Sequence, residues 1–232
     1  MMITQFDSRA TIEHIRLSYE TRSLNAIELA SPIHYQYQLD VKAEREQLYT
    51  RIIQSLPHKA QEMSLMEIGA GSGSNLFHFN NLGFDWSNLY ANELLEHRAD
   101  GMRMTLPTQN IYHCDALDLP FENSFDVVFQ STVFTSILSE PFRIALAKKM
   151  WKMLRKDGII LWYDFVFDNP NNPNVRKATR GDVLRYFPQA MDVEFYSTTL
   201  APPIGRRIGN AYQWVNVLFP FLRSHLIAVI HK

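Results

Sequence analysis

The chain has 232 residues, 46% hydrophobic and 20% charged, with a formal net charge of -1. That composition belongs to a globular protein with a sizeable core, and the near-neutral balance gives no global reason to expect nucleic acid or a membrane as partner. The single cysteine, Cys114, excludes an internal disulfide and fits a reducing compartment. No apolar run approaches the ~18 residues of a membrane span. Asp7, Arg9 and Glu13 interrupt any leader-like start, so a cytoplasmic protein is expected.

Residues 1–62 carry two helical patterns, one marked by Ile12, Ile15 and Tyr19, the other by Val41, Leu48, Ile52 and Leu56. Between them, Ser31 to Gln38 holds a proline and alternating tyrosines, and is expected as an irregular or extended connection. Residues 65–75 then read as a buried strand, a sharp turn with glycines at 69, 71 and 73, and a helix start. Glycine there permits φ > 0 and close approach of a ligand to the backbone. Gly83 stops the helix. A strand ends in Glu93, a helix covers 95–104, and a third strand ends in Asp115. A fourth strand is expected over 125–129 and a helix over 141–155, its apolar face formed by Ile144, Ala147, Trp151 and Leu154. Asp157-Gly158 turns the chain into a fifth strand, 159–165. Beyond Asp168 come an Asn/Pro-rich polar loop, a short helix at 181–186, a strand at 193–199, a helix near 208–218 and a last strand at 226–230. The strand–helix alternation predicts an α/β fold with a parallel, helix-covered sheet.

The glycine spacing does not complete a dinucleotide fingerprint. Counting Gly-x-Gly-x-x-Gly from Gly69 puts Ser74 at the sixth place, and from Gly71 it puts Leu76 there. A glycine-rich turn holding nothing is the alternative reading. Glu67-x-Gly69-x-Gly71-x-Gly73 instead resembles the first motif of class I S-adenosylmethionine-dependent methyltransferases. Glu93 and Asp115-Ala116 resemble the acids that meet ribose and adenine in that family, and Phe125 to Ser131 resembles its fourth motif. The turn at Lys156-Asp157-Gly158 departs from the family's Pro-Gly-Gly.

The resemblance implies a Rossmann-like seven-stranded sheet, mostly parallel with an antiparallel last strand. It divides the chain into an N-terminal helical lid or cap, 1–62, and a cofactor-binding domain, 63–232, with substrate-side insertions around 166–190 and 200–220. It implies S-adenosylmethionine as cofactor, S-adenosylhomocysteine as product, and a small-molecule acceptor. The implied cofactor contacts are Glu67, Gly69, Ala70, Gly71, Gly73, Asn75, Asn92, Glu93, Leu94, Asp115, Ala116, Gln130 and Ser131. His34 from the lid and Asp164 from the end of the fifth strand are candidate bases. Tyr35, Tyr37, Phe134, Tyr163 and Arg176 are candidate acceptor contacts. No His/Asp/Glu spacing suggests a metal. A silent binding subunit of the same fold and an NAD-dependent reductase remain as other readings.

Overall fold

The structure is a computed structural model that describes residues 5–25 and 32–232. Its elements are α1 (Gln5–Asn25), α2 (Pro32–Ser55), β1 (Leu65–Ile68), α3 (Ser74–Asn81), β2 (Leu89–Glu93), α4 (Glu96–Thr105), β3 (Ile111–His113), β4 (Phe125–Ser131), α5 (Glu140–Met153), β5 (Leu154–Phe165), α6 (Arg180–Tyr186), β6 (Asp192–Leu200), α7 (Pro202–Ile208), α8 (Tyr212–Leu218) and β7 (Arg223–His231).

The seven strands form one sheet in the order β3-β2-β1-β4-β5-β7-β6. β1 to β5 pair in parallel, and β7 is antiparallel to both β5 and β6. β6 therefore runs the same way as β5. One edge of the sheet gathers the carboxyl ends of β1 to β6 and the start of β7, which is where open α/β sheets place their ligands. All four residues of β1 are buried, because helices cover both faces. One face packs Tyr49, Ile52, Leu76, Phe79 and Met102 from α2, α3 and α4. The other packs Leu146, Met150, Tyr186 and Phe187 around Trp162. Each such side chain removed from water contributes roughly 1.5–3 kcal/mol.

Two expectations are revised. The stretch from Pro32 is not an extended connection but the first turns of α2; Ser31 lies outside the described residues. Proline suits the first turn of a helix, and tertiary contacts hold the tyrosines in place: Tyr37 Oη donates to Leu200 O at 2.8 Å and its ring meets Tyr212 edge-on. The Asp157-Gly158 turn sits inside the long β5 as an irregularity. Leu154 pairs with Phe125 and Ile159 with Val127, so five steps on β5 match two on β4. Asp157 takes a left-handed φ of 63° there.

Candidate functional site

The glycine loop leaves β1 and is fixed to β2 by Ala70 N donating to Asn92 O at 2.8 Å. Gly69, Gly71 and Gly73 all have positive φ, from 61° to 75°. They differ in what surrounds them. A Cβ on Gly69 would stand 2.6 Å from Val133, and one on Gly73 would stand 2.7 Å from Leu106. These two glycines let the loop pack. A Cβ on Gly71 would meet nothing within 4 Å. The free space of the loop is therefore over Gly71.

Glu93 closes on that space. Its Oε2 accepts from Gly71 N at 2.7 Å, and its Oε1 accepts from Leu94 N and Leu95 N. A carboxylate held by backbone donors in this way is fixed in position. Asp115 follows β3. Its Oδ1 caps a short 3-10 turn through Leu117 N, and burial raises its pKa against that hydrogen bond. Glu93 and Asp115 line one cleft together with Gly69, Ala116 and Ser131. Ile12, Ile15 and Tyr19 of α1 line it as well. Tyr19 Oη lies 3.0 Å from Ser136 Oγ, Arg98 stacks over the Tyr19 ring, and Ser8 Oγ reaches Asp115 at 3.5 Å.

A second set of groups lies at the same sheet edge. Glu67 is buried in β1 and accepts from Asn75 Nδ2 through Oε1 at 2.7 Å, but its Oε2 has no partner. Burial pushes its pKa up to about 8, against the pull of the Asn75 bond and of Arg45. The Tyr49 hydroxyl is near Ser131 yet lacks a partner of proper geometry, and Arg45 Nε is also unpaired. Arg45 lies over the Tyr163 ring, 4.9 Å from its centre, and its Nη1 is 3.5 Å from Ser131 Oγ. Buried unpaired polar atoms are rare and each asks for a partner. Arg45 and Tyr49 stand four residues apart on α2, on one face of the helix. Sequence reasoning passed over both. The signal was a basic residue in the same helical stripe as Ile52.

Toward β6 the edge is polar and strained. Thr132 and Thr199 both take φ of 60°, which costs a β-branched residue of order 1–3 kcal/mol and clusters at functional sites. Tyr163 Oη is 3.1 Å from Thr199 Oγ1, and the His225 ring stacks on Tyr163. Burial lowers the His225 pKa to about 4, so the ring is neutral at physiological pH. Glu44 of α2 knits this region, accepting from Thr199 N, Tyr212 Oη and Asn216 Nδ2.

The remaining sequence candidates divide. Gly71, Glu67, Asn75, Glu93, Leu94, Asp115, Ala116, Ser131 and Tyr163 are on this edge. Ala70 is buried in the loop, and Asn92 lines the cleft while its side chain donates to Cys114 O, just after β3, at 2.9 Å. Gln130 is fully buried and fastens the end of β4, donating to Asp164 Oδ2 and accepting from Val133 N. Asp164 is equally buried, with its carboxyl also bound by Thr135 Oγ1 at 2.6 Å. Burial raises its pKa to about 7. Its place is that of an internal support for the β4 turn. Phe134 is buried against Trp162, leaving no surface for a ligand. His34 and Tyr35 are on the exposed first turn of α2, and Tyr37 is packed against Gly205. Arg176 pairs with Glu140. Among the described residues, no group of three or more His, Cys, Asp or Glu could hold a metal.

Residues 66–162 match the family model of the methyltransferase domain. No curated protein matches the chain in sequence. Among solved structures, a Burkholderia thailandensis 1,6-didemethyltoxoflavin-N1-methyltransferase with bound 1,6-didemethyltoxoflavin and S-adenosylhomocysteine is 14% identical, with 100% of this chain and 92% of that chain covered and a TM-score of 0.59. An S-adenosylmethionine-dependent methyltransferase from Mesorhizobium loti is 15% identical, covering 83% of this chain and 100% of that one at a TM-score of 0.55. One from Archaeoglobus fulgidus is 16% identical, covering 84% and 99% at 0.54. At such identities the likeness is one of fold.

Proposed function

We propose that this chain, a class I S-adenosylmethionine-dependent methyltransferase by its domain match and its sheet, transfers a methyl group to a small polar acceptor, a hydroxyl of a sugar or secondary metabolite. The observation that carries the cofactor reading is the open space over Gly71, closed on one side by the fixed Glu93 carboxylate.

The residues present suit that cofactor from end to end. Glu93 accepts three backbone N–H bonds and keeps an acceptor site on Oε2 for a ribose hydroxyl, a bond to a charged acceptor contributing about 1.5–3 kcal/mol. Asp115, with the following backbone N–H, suits the adenine amino group and ring. The unpaired Glu67 Oε2 suits an ammonium, and Arg45 with the Tyr49 hydroxyl suits a carboxylate. Those are the two charged ends of an amino acid. Residues 5–25 and 32–62 act as a cap: α1 closes the nucleoside end and α2 the amino-acid end.

When bound, S-adenosylmethionine supplies an electrophilic methyl on a sulfonium. What the chain supplies is alignment, which can lower a barrier by about 7–11 kcal/mol in favourable cases. The half-buried Thr132 and Arg45 border the place where an acceptor is held, and the buried Tyr163, bonded to Thr199, supports Arg45. The polar character of that border supports a polar acceptor. The work is that of a cytoplasmic small-molecule enzyme. Titration calorimetry with S-adenosylmethionine and with NADH tests the cofactor: micromolar binding of the first and none of the second is expected. Binding of NADH alone would replace this reading with a reductase. A screen of sugars and metabolites for the mass gain of one methyl tests the transfer.

A further inference from the structure

Among the described residues, the segment after β6 gathers the most exposed aromatic side chains. Tyr212 and Asn216 turn the buried face of α8 inward. On its other face Trp214, Val217 and Leu218 are 75%, 70% and 65% exposed, and Phe221, just beyond, is 76% exposed. Phe219 packs edge-on against Phe221. Contiguous apolar surface of this kind marks an interaction site.

Its charge is one-sided. Residues 195–224 contain Arg206, Arg207 and Arg223 and no aspartate or glutamate. Arg206 and Arg207 are exposed in the last turn of α7. Arg223 is spent on Asn216 and the Ser197 carbonyl, not on an acid. The whole chain, by contrast, is near neutral. The nearby Glu44 is spent on Tyr212 and Asn216, on the buried face of α8. On the exposed face, aromatic and aliphatic side chains flanked by arginines complement the headgroup layer of an anionic bilayer: the rings enter the interface and the guanidinium groups meet phosphate. No described helix is long and apolar enough to cross a membrane, so the contact is peripheral.

We infer that the α7–α8 segment is a membrane-docking surface for anionic lipid. β6 runs directly into α7 from the sheet edge that carries the candidate site. A docked molecule therefore turns that edge toward the lipid surface. The inference does not depend on which cofactor binds.

Vesicle flotation without cofactor tests it. The full chain should float with phosphatidylcholine–phosphatidylglycerol vesicles, much less with phosphatidylcholine alone, and less as salt rises. Trp214→Ser with Phe221→Ser should reduce the bound fraction about tenfold or more while the circular-dichroism melt stays unchanged, since both side chains are exposed. Arg206→Gln with Arg207→Gln should remove the preference for anionic vesicles. Failure of the unaltered chain to float with anionic vesicles would overturn the inference, as would equal flotation of the serine variant. So would light scattering that shows a dimer which the serine variant converts to monomer, because the surface would then belong to a second copy.

Discussion

The two ends of the sheet edge are built differently. At the end proposed for the nucleoside the groups come from the turns that follow β1, β2 and β3, and they are locked by near neighbours in the chain: Glu93 accepts from Gly71, Leu94 and Leu95. At the end proposed for the acceptor the groups come from far apart. Glu44 accepts from Thr199 across 155 residues and from Tyr212 across 168. Local construction makes a site that a short motif can specify. Long-range construction makes one that only the folded chain specifies. A binding function shared by many proteins suits the first, and a choice of acceptor suits the second.

The largest effect that bears on this contrast is expected at Gly71. Gly71→Val fills the only open position of the glycine loop. S-adenosylmethionine affinity should fall at least ~100-fold, or about 2.7 kcal/mol. The left-handed φ strains valine by about 1–3 kcal/mol, so the melting temperature should drop several degrees while the fold persists. Calorimetry showing normal affinity would remove the nucleoside end from this loop.

Arg45→Met should weaken S-adenosylmethionine by about tenfold or more, from the lost charge-assisted contact. It should leave methylthioadenosine, which lacks the amino-acid end, unchanged. Equal loss for both ligands would mean that Arg45 supports the fold and not a carboxylate.

The smallest effect is a proton. Glu67 has its pKa raised to about 8 in the folded chain, so at pH 7 the ligand-free carboxyl holds its proton. A ligand ammonium at Oε2 favours the ionised form, and binding should release that proton. The measured binding enthalpy should then follow the ionisation heat of the buffer, and Glu67→Gln should abolish the dependence. The same shift has a sign for stability. The folded state binds more protons than the unfolded one between the unshifted value of 4.5 and about 8, so stability falls as pH rises through that window. Asp164, raised to about 7, acts in the same direction. Glu67→Gln should therefore reduce the slope without removing it.

What the sequence disclosed follows the same division. Alternating strands and helices, the glycines and the acids after β2 and β3 could be read because each signal is short and sits where its strand ends. The seven-stranded, mostly parallel sheet with its antiparallel last strand followed from the resemblance, while the order of the strands is seen only in the fold. Pro32 to Gln38 was misread because the features that make it helical, Gly205 and Tyr212 against Tyr37, lie more than 160 residues away. Asp164 and Phe134 attracted attention as residues next to strand ends, and only burial reveals them as internal supports. Arg45 and Tyr49 escaped because a helix pattern shows its apolar stripe and hides the polar atoms that stripe carries inward.

Glu44 and Arg45 are neighbours on α2, one turned to the polar cluster of β6 and α8, the other to Ser131 and Tyr163. That adjacency limits how the molecule can be recombined. A graft of a foreign 195–222 segment onto this chain would strand the Glu44 carboxylate without its donors. A graft of a foreign α2 would remove Arg45 along with Glu44. The acceptor end is therefore inherited as a pair, helix and distant segment together, and the unit of exchange between such enzymes is not a contiguous piece of chain.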